Sequence, residues 1–491
     1  MTLISYDARA LTVKNKPVPL LVSRVEYLLL EPVDWVSRLR SLKSLGFTAI
    51  QTCVPWSSHE SLSGQFDFQG PRDLTAFLRA AQEVGLWVLL RMGPNVGEPF
   101  SGGGLAEWLL HDDSAKSGPP SVRSKDPAFM SRLNKWWSEV SRHVRDFQQD
   151  QSSDGTPRTG PLLSIQIEHE WNCGNVEEGD AYLGELLRMV REFGLDVPIM
   201  TANGFWHDLD GTIETWRSET DASDLLANVR QLHSVQPDAP RIVTLLSTSD
   251  DPGRLAETIL KVISAGGTPI IDDAVSGRHR HSTASIESKR RHGDHRVPGS
   301  VLDSEGMVID AMRDAIPVLR FASSFGRMLC ELDPRLDAPV IQNASTGHLM
   351  VPRRGSSGDV IFNVGGPSKP DSGEVILTDG RSFTSYNMSP GSWPVLGVDL
   401  FGKGRLDHTN VSVIDFVRDR MLVAMGVPGS IARFGINGSD IELVVPDEKA
   451  TEPHIAVHGE ISIVLCTPQI ARTIEIDTDG IIIGSHHIDS T

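Results

Sequence analysis

Apolar positions along the chain follow two alternating rhythms. In DWVSRLRSLKSLGFTAIQTCV, residues 34–54, Trp35, Leu39, Leu42 and Leu45 recur at helical spacing, Gly46 stops the helix, and FTAIQTCV reads as a buried strand. RDLTAFLRAAQEVGLWVLLRMG repeats the unit: Leu74, Phe77, Leu78 and Ala81 share one face, Gly85 punctuates, and LWVLLR is the strand. AYLGELLRMVREFGLDVPIMTANG and GRLAETILKVISAGGTPIIDDAV do so again. Helix, glycine and apolar strand in repetition predict parallel strands joined by crossover helices. About eight such strands fit before residue 325, so an α/β architecture with a (β/α)8 TIM barrel is expected over residues 1–332. No GxGxxG follows an early strand, which disfavours a dinucleotide-binding sheet.

Beyond SEGMVIDAMRDAIPVLRFASSFGRMLCELD the rhythm changes to short apolar runs broken by Gly, Pro, Asn and Asp, as in GDVIFNVGGPSKPDSGEVILTDG, DIELVVPDE, EISIVLC and DGIIIGS. This predicts an all-β sandwich domain over residues 333–491, a packing partner for the barrel.

Composition narrows the function classes. With 39% hydrophobic and 22% charged residues the 491-residue chain reads as an ordinary globular protein. A formal net charge of −18 disfavours nucleic acid and anionic membranes as partners. No window approaches a transmembrane span, and MTLISYDARALTVKNKP lacks the basic-then-apolar order of a secretory signal, so a cytoplasmic location is expected. Cys53, Cys173, Cys330 and Cys466 are widely spaced and form no CxxC pair, which favours free thiols. No metal site or cofactor is expected, and the sequence leaves oligomeric state open.

Chemistry-bearing residues gather where the predicted strands end: Glu26-Tyr27, TCVPWSSHE, RMGPNVGEP, IEHEW, TANGFW and IIDDAV. In a barrel of this type one face collects all of these ends. Together they resemble glycoside hydrolase family 35, the β-galactosidase family. The family's IQTYVPWNxHEP stands here as IQTCVPWSSHES, followed by GQFDFQGPRDLTAFLRAAQEVGL. RPGPYICAEWxxGGLPAWLL stands as RMGPNVGEPFSGGGLAEWLL, and QVENEYG as QIEHEWN. GSWPVLGVDLFGKGRL is similar to a strand region that follows the barrel in several members.

The resemblance implies that Glu170 is the general acid/base. Retaining glycoside hydrolysis also needs a nucleophilic carboxylate about 5–5.5 Å away. By resemblance to PxxxxEFxTGW, that position in PRIVTLLSTSDD is Leu245, which cannot attack an anomeric carbon. Asp250 and Asp251 follow and would need a register change to serve. The implied sugar pocket is altered too. Cys53 and Ser57 replace a tyrosine and an asparagine, Asn95 to Phe100 replace PYICAEW and leave Glu98 as the nearest acid, and His169 replaces an asparagine. The later strand TPIIDDAV brings no tyrosine.

His169 has two readings, a histidine tucked between strand and helix or a catalytic group beside Glu170 that titrates near neutrality. Cys53 reads as an inert small apolar residue rather than a nucleophile. His59-Glu60 reads as scaffold, Glu168 as support for the strand, and Asp272-Asp273 as loop-starting acids, with a metal or a substrate hydroxyl as the alternative partner. The basic run at residues 276–296 reads as a solvated loop, or as a lid over the barrel mouth.

The expected function is a non-hydrolytic acid/base enzyme acting on a small molecule: dehydration, addition or cyclisation of a natural-product intermediate. Glu170 and His169 are catalytic in this reading; Glu26, Tyr27, Cys53, Asn95, Glu98, Trp171, Asn203, Trp206 and Asp272 bind substrate. Proton donation by Glu170 calls for its burial near Trp171. The alternatives are a glycoside hydrolase with a displaced nucleophile, Asp250 or Glu98, and a catalytically inactive binding protein.

Overall fold

The computed structural model describes residues 3–110, 120–151, 157–171, 176–204, 209–218, 225–246, 252–272, 301–303, 306–334, 349–366, 371–376, 382–388, 390–476, 480–483 and 486–489. Eight parallel strands close into a barrel: β1 (Val22–Arg24), β2 (Ala49–Cys53), β3 (Trp87–Gly93), β4 (Leu162–Ile167), β5 (Ile199–Thr201), β6 (Thr212–Ser218), β7 (Arg241–Leu246) and β8 (Gly267–Asp272). The ring shuts where Ile270 of β8 pairs with Val22 of β1.

Crossover helices cover the outside. They are α1 (Trp35–Ser44), α2 (Leu74–Val84), α3 (Pro127–Val144), α4 (Val176–Glu192), α5 (Leu225–Val235) and α6 (Pro252–Ser264). Their starts are written locally. The Asp73 carboxylate accepts from the Ala76 amide at 2.8 Å to open α2. Asp126, followed by Pro127, accepts from Ala128 and Phe129 to open α3. Gly46, after α1, has φ of +105°, and a Cβ there would stand 2.9 Å from the Leu319 carbonyl oxygen, so glycine is required for the turn and for the close approach. The alternation has one departure: β5 passes to β6 through residues 202–211 with no crossover helix among the described residues.

After the barrel, α7 (Ile316–Ser324) leads into a seven-stranded sheet and a four-stranded sheet. One face of each joins the same apolar core as the barrel, and the other face of the four-stranded sheet buries a second cluster around Ile414, Val423 and Val464. Phe321 of α7 packs on Phe362 and Trp393, with ring centroids 6.4 and 5.8 Å away. Arg320 links three parts at once: its guanidinium donates to Asp415 Oδ2 in the four-stranded sheet and to the carbonyl of Ser44 at the end of α1. Among the described residues no helix is long and apolar enough to cross a membrane.

Candidate active site

All six residues of β4 are buried, and the chain then bends sharply. Glu168 and Glu170 both lie in the left-handed region, with φ of +53° and +52°. Non-glycine residues there cost on the order of 1–3 kcal/mol each and persist only where surroundings hold them. Two backbone bonds do so: Glu168 N–H donates to Gly93 O at the end of β3 at 2.9 Å, and Glu170 N–H donates to Ala202 O beyond β5 at 2.7 Å. Arg123 adds a bond to the His169 carbonyl at 3.0 Å. In an extended strand His169 and Glu170 would face opposite ways. The double kink instead brings His169 Nε2 within 3.8 Å of Glu170 Oε1.

The imidazole of His169 is buried and held neutral. Burial lowers its pKa well below the usual histidine value, and the charges of Arg91, Arg24, Arg217 and Arg123 add to the effect. Its tautomer follows from the neighbours. Arg91 Nε can only donate, and it meets Gln166 Oε1 at 3.2 Å. The Gln166 amide nitrogen therefore faces the Glu168 carbonyl at 3.0 Å and His169 Nδ1 at 3.3 Å. With Nδ1 accepting, the ring proton sits on Nε2, toward Glu170. Gly97 makes room for the ring: its φ is +74°, and a Cβ there would lie 2.4 Å from His169 Cδ2.

Glu168 is a support. Its fully buried carboxylate meets Arg123 Nη2 at 3.0 Å and accepts from the Tyr182 hydroxyl at 2.7 Å. Burial nevertheless leaves its pKa raised. Trp171 is buried, donates its indole N–H to the Arg123 carbonyl at 3.0 Å and packs near Tyr182. It braces the bend from behind, in contrast to the substrate-binding role expected for it.

Glu170 has an exposed side chain, at 45% of its full accessibility, and forms an ion pair with Arg217 of β6. The burial beside Trp171 that the sequence reading called for is not there. Barrel parity places Arg217 inward, in register with Thr244 of β7. Leu245 is the next residue of β7, buried and paired with Ser218 and Ile271, so it faces the helix layer. The residue expected at the vacated nucleophile position thus points away from the barrel mouth. Asp250 and Asp251 lie outside the described residues, as do Asp273, Trp206 and the basic run 276–296. The side chain of Asp272 is likewise undescribed.

The remaining expected residues divide. Glu26 is fully buried at the end of β1, paired with Arg24 at 2.7 Å and accepting from the Cys53 amide at 3.2 Å. Cys53 is buried beside them, its thiol pushed up to about 12 by burial and by Glu26, which leaves it unreactive. Tyr27 is a core residue: it stacks on Phe77 with centroids 5.3 Å apart and shares a hydrogen bond with His59. Asn95 uses its side-chain oxygen to accept from Gly97 N–H at 2.7 Å and so shapes the loop. Glu98 is exposed, and its carbonyl accepts from Arg24. Asn203, only 1% exposed, leaves both polar atoms of its amide without a partner among the described residues. Its backbone N–H is fixed by Glu214 at 2.6 Å.

Arg24, Arg91, Arg123, Gln166, Tyr182 and Arg217 were not singled out from sequence. A usable signal existed for two of them: VSR and WVLLRMG each place an arginine at an inward position of an otherwise apolar strand. Among the described residues no group of three or more His, Cys, Asp or Glu side chains is disposed to hold a metal.

The sequence profile of Glycosyl hydrolases family 35 matches residues 10–249. Human Beta-galactosidase-1-like protein 3 is 31% identical over 210 residues, which is 43% of this chain and 30% of that protein. The Beta-galactosidase of Felis catus is 31% identical over 202 residues, 41% of this chain and 28% of that protein. A solved beta-galactosidase from Rahnella sp. R3 aligns with a TM-score of 0.47 and 11% identity over 68% of this chain and 59% of its own. The chain thus spans under a third of the length of the two curated relatives named. Over residues 10–249 the protein is a homologue of glycosyl hydrolases family 35.

Proposed function

We propose that the chain is an acid/base enzyme that dehydrates a β-hydroxy carbonyl compound, a step that prepares addition or ring closure. The observation that carries this reading is the doubly kinked end of β4, which sets a neutral imidazole N–H 3.8 Å from the carboxylate of Glu170. A neutral histidine donor paired with a carboxylate base suits proton removal next to a carbonyl. Glu170 takes the α-proton while His169 Nε2–H donates a hydrogen bond to the carbonyl oxygen as negative charge gathers there. The enolate then reforms its carbonyl and expels the β-hydroxyl, which leaves as water with the proton held by Glu170. The carboxylate is restored, and the substrate has lost one water.

The test uses 4-hydroxy-2-butanone in deuterated buffer, followed by proton NMR. Protein-dependent exchange at the carbon between carbonyl and carbinol, or formation of the enone, is expected. Glu170→Gln abolishes it and His169→Ala slows it strongly. If both variants match the unaltered protein, the proposal is wrong.

A second reading, glycoside hydrolysis, is favoured by the family match over residues 10–249 and by the carboxylates Asp250 and Asp251 that follow β7. Glu170-dependent release of nitrophenol from nitrophenyl β-galactoside would select this reading over the first.

A further inference from the structure

Arg217 is built as a donor whose capacity the protein does not use up. Its Nη1 is engaged by Glu170, yet its Nε is buried and has no hydrogen-bond partner among the described residues. A buried donor left without a partner is destabilising, and an acceptor bound there would relieve that cost. The side chain lies on the inward face of β6 and keeps 31% of its accessibility, so the guanidinium is open to the barrel mouth while Nε itself lies beneath the surface. The surrounding field favours an anion. Arg24, Arg91, Arg123 and Arg217 all act electrostatically on the adjacent His169. Glu26, Glu168 and Glu170 are each in contact with one of these arginines, and the imidazole between them carries no charge.

We propose that Arg217 is the substrate anchor of this site and that it takes a carboxylate. A turn of the partly exposed side chain uncovers Nε; one carboxylate oxygen then sits on Nε and the other on the guanidinium nitrogen not bound by Glu170. The Nε edge of a guanidinium presents two parallel N–H groups matched to the two oxygens of a carboxylate, a fit that a sugar hydroxyl cannot reproduce. The substrate class is therefore a hydroxy or sugar acid. Its charged end is held beside Glu170, so that its reacting carbon lies between Glu170 and His169. The inference rests on the reading that this pocket is where substrate reacts.

Arginine-labelled protein, with the side-chain Nε–H signals recorded by nitrogen–proton NMR, tests it. Arg217→Lys identifies the Arg217 signal by its loss, and a thermal melt of that variant confirms that the fold is kept. Galacturonate and 3-hydroxybutyrate are expected to shift the Arg217 signal, and galactose at equal concentration to leave it in place. Glu170→Gln should strengthen the response, because the competing internal carboxylate is gone. If the acids leave the signal unmoved, or galactose moves it as far, the anchor is overturned. Failure of the acid/base reading looks different: the Glu170→Gln and His169→Ala variants keep exchange activity while the Arg217 shift persists.

Discussion

Gln166 Nε2 stands 3.3 Å from His169 Nδ1, and Arg91 on the other side of the amide dictates which atom faces the ring. The tautomer of the candidate catalytic histidine is thus set three residues upstream, by a buried residue of β4. Gln166→Glu reverses the arrangement. Its carboxylate accepts from both Arg91 and His169, which draws the imidazole proton to Nδ1 and leaves Nε2 as an acceptor. Nitrogen chemical shifts of the His169 ring report the exchange directly; an Nε2–H ring in the variant would refute the assignment.

Acid should weaken the protein before its carboxylates titrate. Burial lowers His59 to about 4 and His169 well below its usual value. A histidine depressed in the folded state contributes full stability above about pH 6.5, its unfolded value. That contribution is lost as the pH falls toward the folded pKa, because only the unfolded chain takes up the proton. For His59 the window runs from about 6.5 to about 4 and corresponds to about 3 kcal/mol. Glu168, raised by burial, opposes the trend as it gains its proton. Denaturant titrations across this range should slope downward for the unaltered protein and less steeply for His59→Gln. Equal slopes would rule out His59 as a source.

The Arg123 and Glu168 pair should be indispensable in one direction only. Arg123→Ala strands a buried carboxylate and is expected to cost about 3–5 kcal/mol. Adding Glu168→Gln to that variant should recover part of the loss, since the stranded charge is removed. Tyr182→Phe deletes one donor to the carboxylate and is expected to cost about 1.5–3 kcal/mol. Urea unfolding of the set measures this; a double variant less stable than Arg123→Ala would contradict it.

Gly97→Ala should act through His169. The added carbon meets the ring at Cδ2 and must adopt φ of +74°, a backbone penalty of roughly 1–2 kcal/mol before the clash is counted. In a His169→Ala background the clash disappears and only the backbone penalty remains. Thermal melts of both single variants and the double variant are therefore expected to be non-additive, with coupling of about 1 kcal/mol or more. Strict additivity would place the damage elsewhere.

The barrel was readable because its evidence is local. A helix stripe such as Leu39 and Leu42, a stop at Gly46 and a buried strand each occupy a few residues, and their repetition carries the topology. The site was readable only as far as its residues stand at strand ends. Glu170 and His169 could be located, but the bend that brings them together depends on the carbonyls of Gly93, at the end of β3, and Ala202, just past β5. Arg217 reaches Glu170 from 47 residues away and belongs to no motif. Leu245 illustrates a different limit: alignment to a family pattern carries residue order, whereas facing depends on strand register, and one step of register turns a side chain from the mouth to the helix layer. Tyr27, Asn95 and Trp171 sit beside the right strand ends yet are spent on packing and loop shape, a distinction that needs the third dimension.

Arg320 joins the last turn of α1 to the four-stranded sheet through Ser44 and Asp415, while Phe321 beside it is sheathed by Phe362 and Trp393. A chain ending near Leu332 would leave a guanidinium without its carboxylate and an aromatic ring facing water. The barrel half of this molecule is thus not a portable module. In recombination between relatives, a barrel would have to travel with its own β-rich partner, or meet one that supplies counterparts of Asp415, Phe362 and Trp393.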